Sequence, residues 1–240
     1  MSIIVPNDPE KAFLLASSLV EMGDPQALTA LANLLKHHPK HARGWSELGV
    51  LFKNNLEHEA SLGAFERAIE ADPSLVKAHF IRANVLHTLY RFEEAKQGYK
   101  RALEISPNAK EICLNLGLTL VKLDAKIEAR EAFERVVALD PTFSEAWFNL
   151  GLAHQDLHDL SNAVMAYRSA LEHRPDYAEA AVNLGIALQE TGAMDEAIAV
   201  YRQAVSLEPK TFYRITQAIT AASTGRLWLN LGDLRRLLVA

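Results

Sequence analysis

From residue 42 onward, small and apolar side chains return every 34 residues at six fixed places along the chain. Counted within each unit, the fourth residue is Trp45, His79, Cys113, Trp147 and Ala181. The seventh is Leu48, Leu116, Leu150 and Leu184, with Arg82 as the exception. The eighth is always small: Gly49, Ala83, Gly117, Gly151 and Gly185. Later in the unit, the twentieth residue is Ser61, Ala95, Ala129, Ala163 and Ala197, and the twenty-fourth is Phe65, Tyr99, Phe133, Tyr167 and Tyr201. Ala68, Ala102, Val136, Ala170 and Ala204 hold the twenty-seventh place. Offsets of three and four put each half of the set on one side of a helix, so every unit predicts two helices. No stretch alternates with a period of two over a useful length, and no sheet is expected.

Proline marks the same period. Six of the nine prolines stand at position 32 of their units: Pro39, Pro73, Pro107, Pro141, Pro175 and Pro209. This divides the chain into an N-terminal arm, residues 1–7, and six repeats, 8–41, 42–75, 76–109, 110–143, 144–177 and 178–211. The first repeat is degenerate, with Leu15 at position 8 and Leu31 at position 24, as expected of a terminal unit with one face uncovered.

These residues and offsets resemble the tetratricopeptide repeat, a helix–turn–helix unit of 34 residues. The resemblance implies an all-α α-solenoid, a right-handed superhelix of stacked hairpins whose first helices line a concave groove. Small residues at positions 8 and 20 would let the two helices approach. The aromatic at position 24 would fill the space between one hairpin and the next. Proline would end the second helix and preset the entry to the following one. Asp72, Ser106 and Asp140, each just before a proline, are candidate caps for the next helix, and Gly23-Asp24-Pro25 is a similar device in the first repeat.

Residues 212–240 are expected to close the array as a C-terminal helical cap. A seventh first helix runs from Phe212 to Ala222, with Ile215 at position 4, and a second amphipathic helix from Leu229 to Leu238. The alternative is that this basic segment, with Arg226, Arg235 and Arg236, folds into a groove or into a second subunit.

Composition adds exclusions. The lone cysteine, Cys113, sits at a packing position and rules out a disulfide framework. The N-terminus lacks the basic start and apolar run of a secretory signal, and no run is long and apolar enough to span a membrane, so a cytoplasmic protein is expected. No phosphate loop, nucleophile elbow or paired metal-ligand cysteines occur, so no enzyme, cofactor or metal is expected. His154 and His158, four apart, lack the carboxylate of a zinc site. The net charge of −5 is unevenly spread: −1 over residues 1–109, −7 over 110–211 and +3 over 212–240. Without a basic stripe, a nucleic-acid role is disfavoured, while the acidic stretch suits a basic partner.

On each first helix, positions 2, 5, 6, 9 and 13 share one side. Position 6 carries Asn115, Asn149 and Asn183, whose amides could pair with a peptide backbone. That row resembles the one in the repeat domain of O-linked N-acetylglucosamine transferases; it is equally a common mark of ancestry in such repeats. Position 5 supplies Phe80, Leu114, Phe148 and Val182, and position 9 supplies Leu118, Leu152 and Ile186. Some of these pack internally, and the remainder form an apolar binding strip. Position 2 changes sign, from Arg43 and Lys77 to Glu111, Glu145 and Glu179, and Asp156 and Glu190 extend the acidic half. Expected from this is a non-enzymatic scaffold or adaptor. Its partner would be a protein or peptide segment with an apolar face and a basic flank. The alternatives are a homo-oligomeric scaffold and a targeting module of a larger glycosyltransferase-like enzyme.

Overall fold

The computed structural model describes residues 8–221, 235, 236 and 238. The arm 1–7, Arg226 and most of the predicted helix Leu229–Leu238 lie outside the described residues. The chain forms two compact units, Met1–Leu123 and Asp124–Ala240, with the division falling at the turn inside the fourth repeat. Among the described residues the first unit contains α1 (Pro9–Glu21), α2 (Ala27–His37), α3 (Ala42–Asn54), α4 (His58–Ala71), α5 (Val76–Thr88), α6 (Phe92–Ile105) and α7 (Lys110–Lys122). The second contains α8 (Lys126–Leu139), α9 (Ser144–Asp156), α10 (Leu160–His173), α11 (Ala178–Glu190), α12 (Met194–Leu207) and α13 (Thr211–Ala221).

Within each unit consecutive helices pack in order, α3 on α4, α4 on α5 and α5 on α6, then α9 on α10, α10 on α11 and α11 on α12. First helices also touch one another, as α3 does α5 and α11 does α13. This is the α-solenoid arrangement, an all-α fold in which each hairpin buries its apolar face on its neighbours.

The period-34 residues are the core. The position-24 rings of Phe65, Tyr99, Phe133, Tyr167 and Tyr201 are fully buried, as are the small residues at position 20. The ring lies first against its own hairpin. A Cβ built on Gly49 would meet Phe65 at 2.9 Å, one on Gly151 would meet Tyr167 at 2.5 Å, and one on Gly185 would meet Tyr201 at 2.3 Å. Position 8 is small because the aromatic occupies the space a side chain would need.

Every second helix ends two residues before its proline, α4 at Ala71 and α8 at Leu139 for example. The residue preceding proline is excluded from the helical region, and Asp72 and Asp140 accordingly have ψ of 96° and 89°. These aspartates do not cap the next helix. Asp72 Oδ1 accepts from the Ser74 amide and hydroxyl, and Asp140 Oδ1 from those of Thr142. They stand too early to reach the first turn, and hold the proline turn instead. Asp24 does the same for the Gln26 amide, and the Ser106 backbone N–H donates to the Ala102 carbonyl at the α6 terminus.

Position 4 is tied to the preceding proline. The indole N–H of Trp45 donates to the Pro39 carbonyl at 2.8 Å and that of Trp147 to the Pro141 carbonyl at 2.7 Å; His79 Nε2 is 3.0 Å from the Pro73 carbonyl. Cys113 at the same position is buried.

The turn between paired helices closes through a left-handed residue. Leu56, Tyr90, Asp124 and His158 have φ between 54° and 63°, and Gly192 has 85°. The following amide bonds back to the helix, Glu57 to Phe52 at 2.9 Å and Arg91 to Leu86 at 2.9 Å. At the C-terminal end, Leu238 is buried in the cluster that contains Ile215, Tyr201 and Leu188, while Arg235 and Arg236 are exposed.

Candidate interaction surfaces

On the first unit, the first-helix face carries paired charges. Arg43 is bonded to Glu10, and Lys77 to Glu47 at 2.6 Å. The position-2 cations of the sequence therefore tie neighbouring repeats together. Glu111 is exposed. Phe80 is half-buried against Tyr99, with ring centroids 6.1 Å apart, and Leu118 is half-buried. Asn115 Nδ2 donates to Asn84 Oδ1 at 2.9 Å, and the same oxygen accepts from the Tyr99 hydroxyl at 2.6 Å. Asn84, Tyr99, Asn115 and Leu118 line a cavity of about 170 Å³ together with His87 and Thr88. Burial, and then the charge of Lys122, holds the His87 imidazole below its usual range.

The second unit presents a different face. Phe148 is half-buried between the rings of Tyr167 at 6.0 Å and Tyr177 at 4.9 Å. Leu152 and Ile186 are half-buried beside the terminal core. Glu145, Asp156, Glu179 and Glu190 are exposed and make no ion pair among the described residues. Their field is felt nearby. Burial and then Glu179 and Glu145 push the Tyr177 phenol upward. Burial, Asp156 and Glu190 do so for Tyr167, against the opposing charge of Arg214.

Three of the expected contact residues belong to the interior instead. Val182 is fully buried, Leu114 is 9% exposed and Asn183 is 4% exposed. The apolar stripe of a solenoid helix packed on both sides is wide enough to take in part of positions 5 and 6. Nor are the asparagine amides equivalent. Asn183 Oδ1 accepts from Arg214, Asn149 Nδ2 donates to the Glu145 carbonyl at 2.8 Å, and Asn115 is bonded to Asn84. Phe80, Leu118, Phe148, Leu152, Ile186, Asn115, Asn149, Glu111, Glu145 and Glu179 keep exposed surface.

Arg214 and Tyr177 are residues that periodicity passed over. Arg214 breaks a run at position 3, where Gly44, Ala78, Ile112, Ala146 and Ala180 are uncharged; that break was the available signal. Tyr177 precedes its helix and shows no period, so only packing reveals it.

Among the described residues no group of three or more His, Cys, Asp or Glu side chains is placed to hold a metal ion. None of the described helices is long and apolar enough to cross a membrane.

Comparison with known proteins agrees with this architecture. Tetratricopeptide repeat families match residues 13–74, 51–110 and 151–210, with further matches at 132–165 and 110–143. The chain is 26% identical over 110 residues to the cell division cycle protein 27 homolog of Caenorhabditis elegans, covering 45% of this chain and 14% of that protein. It is 30% identical over 77 residues to the photosystem I assembly protein Ycf3 of Acaryochloris marina, covering 25% of this chain and 45% of that one. The chain thus spans less than half the length of either curated relative. In structure it is similar to YrrB, described as a tetratricopeptide repeat protein with an unusual peptide-binding site, at a TM-score of 0.72 and 23% identity over 78% of this chain and 97% of YrrB. With its family matches covering well over half of the sequence, this chain belongs to the tetratricopeptide repeat family.

Proposed function

We propose that this protein is a non-catalytic scaffold that holds a partner segment against its first helices, and that the segment is apolar on one side and basic along its flank. The observation that carries this reading is the second unit's face. Four carboxylates, Glu145, Asp156, Glu179 and Glu190, stand without ion pairs among the described residues, around the half-buried side chains of Phe148, Leu152 and Ile186. Unpaired charge of one sign steers an oppositely charged partner, and the apolar strip supplies the area to bury. YrrB, described by its peptide-binding site, shares the fold. On this unit Asn149 is the amide with surface left to meet a bound chain.

The test is titration of the whole protein with a labelled amphipathic peptide of alternating leucine and basic residues, beside one in which the basic residues are glutamate. The basic peptide is expected to bind, more weakly as salt rises. The quadruple variant E145Q/D156N/E179Q/E190Q is expected to lose that binding. Equal affinity for the two peptides would overturn the reading. Light scattering on the same samples identifies the occupant. A mass constant near 26.6 kDa leaves the face free for a foreign segment. A mass rising in whole subunits makes a second copy the occupant.

A further inference from the structure

Arg214 and Ala180 hold the same place, third in successive repeats, and they leave two asparagines in different states. Arg214 on α13 donates to Asn183 Oδ1, and its charge acts at Tyr167 against those of Asp156 and Glu190. At that level the chain supplies its own guanidinium to the acidic face. One repeat earlier, the counterpart of Asn183 is Asn149, and the counterpart of Arg214 is Ala180, which is fully buried. Among the described residues no cation is bonded to Asn149, and the nearby Arg174 guanidinium lies over the Tyr177 ring instead.

Its surroundings suit one. Asn149 turns its Nδ2 to the Glu145 carbonyl at 2.8 Å, and its Oδ1 takes no hydrogen bond among the described residues. Glu145 and Glu179 are both exposed, both unpaired among the described residues, and both act on the Tyr177 phenol. The rings of Phe148 and Tyr177, with centroids 4.9 Å apart, supply an aromatic wall. Tyr177 already accepts a guanidinium, that of Arg174, at 4.4 Å from its centroid.

We propose that Asn149, Glu145, Glu179 and the Phe148–Tyr177 pair form a subsite for an arginine side chain of the bound partner, its guanidinium donating to Asn149 Oδ1 as Arg214 donates to Asn183 Oδ1. The subsite rests on the reading above, in which the second unit's face receives a basic segment. Arginine fits better than lysine because a planar fork of donors can meet an amide oxygen and a carboxylate together while its face lies on a ring.

The experiment uses the whole chain and two labelled, end-blocked peptides, one alternating leucine with arginine and one alternating leucine with lysine. Wild type is expected to prefer the arginine peptide. Asn149→Leu should lower its affinity about tenfold, the effect of one hydrogen bond to a charged group, and should abolish the preference. Asn149→Ser, which shortens the side chain out of reach, should do the same, and circular dichroism confirms that both variants keep the fold. The double variant E145Q/E179Q should weaken both peptides. A preference that survives in Asn149→Leu and Asn149→Ser overturns the subsite and leaves the scaffold reading standing. Failure of wild type to bind either peptide overturns the scaffold reading, and the subsite with it.

Discussion

The ring of Tyr201 lies so close over Gly185 that a Cβ on the glycine would stand 2.3 Å from the ring carbon Cε1. Gly185 on α11 and Tyr201 on α12 are thereby the contact that sets how near the two helices of the last complete repeat can come. The same pair recurs as Gly151 with Tyr167 and Gly49 with Phe65.

Gly185→Ala should therefore destabilise the protein. Helix propensity favours alanine by about 1 kcal/mol, while forcing an extra methyl into a packed core costs about 1–3 kcal/mol. Both Gly185 and Tyr201 are buried, so the ring has little room to yield and the steric cost wins. Denaturant unfolding should show a lowered midpoint, and a rise would refute the close-contact account.

At the paired-helix turns the sign reverses. Leu56 and Tyr90 are exposed by 76% and 81% yet held at φ of 63° and 59°. A non-glycine residue in that region costs about 1–2 kcal/mol, and glycine gives back part of the gain as chain entropy. Leu56→Gly and Tyr90→Gly should each stabilise the fold by about 0.5–1 kcal/mol. Two destabilised variants in a thermal melt would contradict this.

Trp147→Phe keeps most of the apolar body but removes the N–H that bonds the Pro141 carbonyl. The cost should be about 0.5–1.5 kcal/mol, because the bond lies at an exposed junction where water can replace it. Trp45→Phe should match it, since Trp45 meets Pro39 in the same way. Equal stability of wild type and both variants would show that position 4 acts through packing alone.

Stability should also fall in mild acid. Burial, then Lys122, keeps the folded-state affinity of His87 for a proton below its ordinary value, and its ring packs edge-on to Phe92 at 5.1 Å. As pH falls through about 6.5, the unfolded chain takes up that proton before the folded one does. The stabilisation is complete above that pH and is lost toward the depressed folded value. His87→Leu should flatten the acid limb of a stability-against-pH curve. The flattening should be partial, because burial shifts His41 in the same direction. An unchanged limb would count against the burial of a neutral imidazole.

Much of this molecule was legible in one dimension. A hairpin that contacts only its neighbours repeats its packing rules, so the core residues recur in register. Trp147, Gly151, Ala163, Tyr167 and Pro141 could all be placed before any coordinate was known, and so could the all-α fold. What periodicity could not decide is what each polar residue on the first-helix face touches. Asn115, Asn149 and Asn183 share one position in the repeat, yet one is bonded to Asn84, one to its own helix and one to Arg214. Arg43 and Lys77 likewise appear free as sequence and are held by Glu10 and Glu47 in the fold. Packing depends on shapes that repeat, whereas a hydrogen bond or ion pair depends on the one partner brought within about 3 Å, which only the tertiary structure selects.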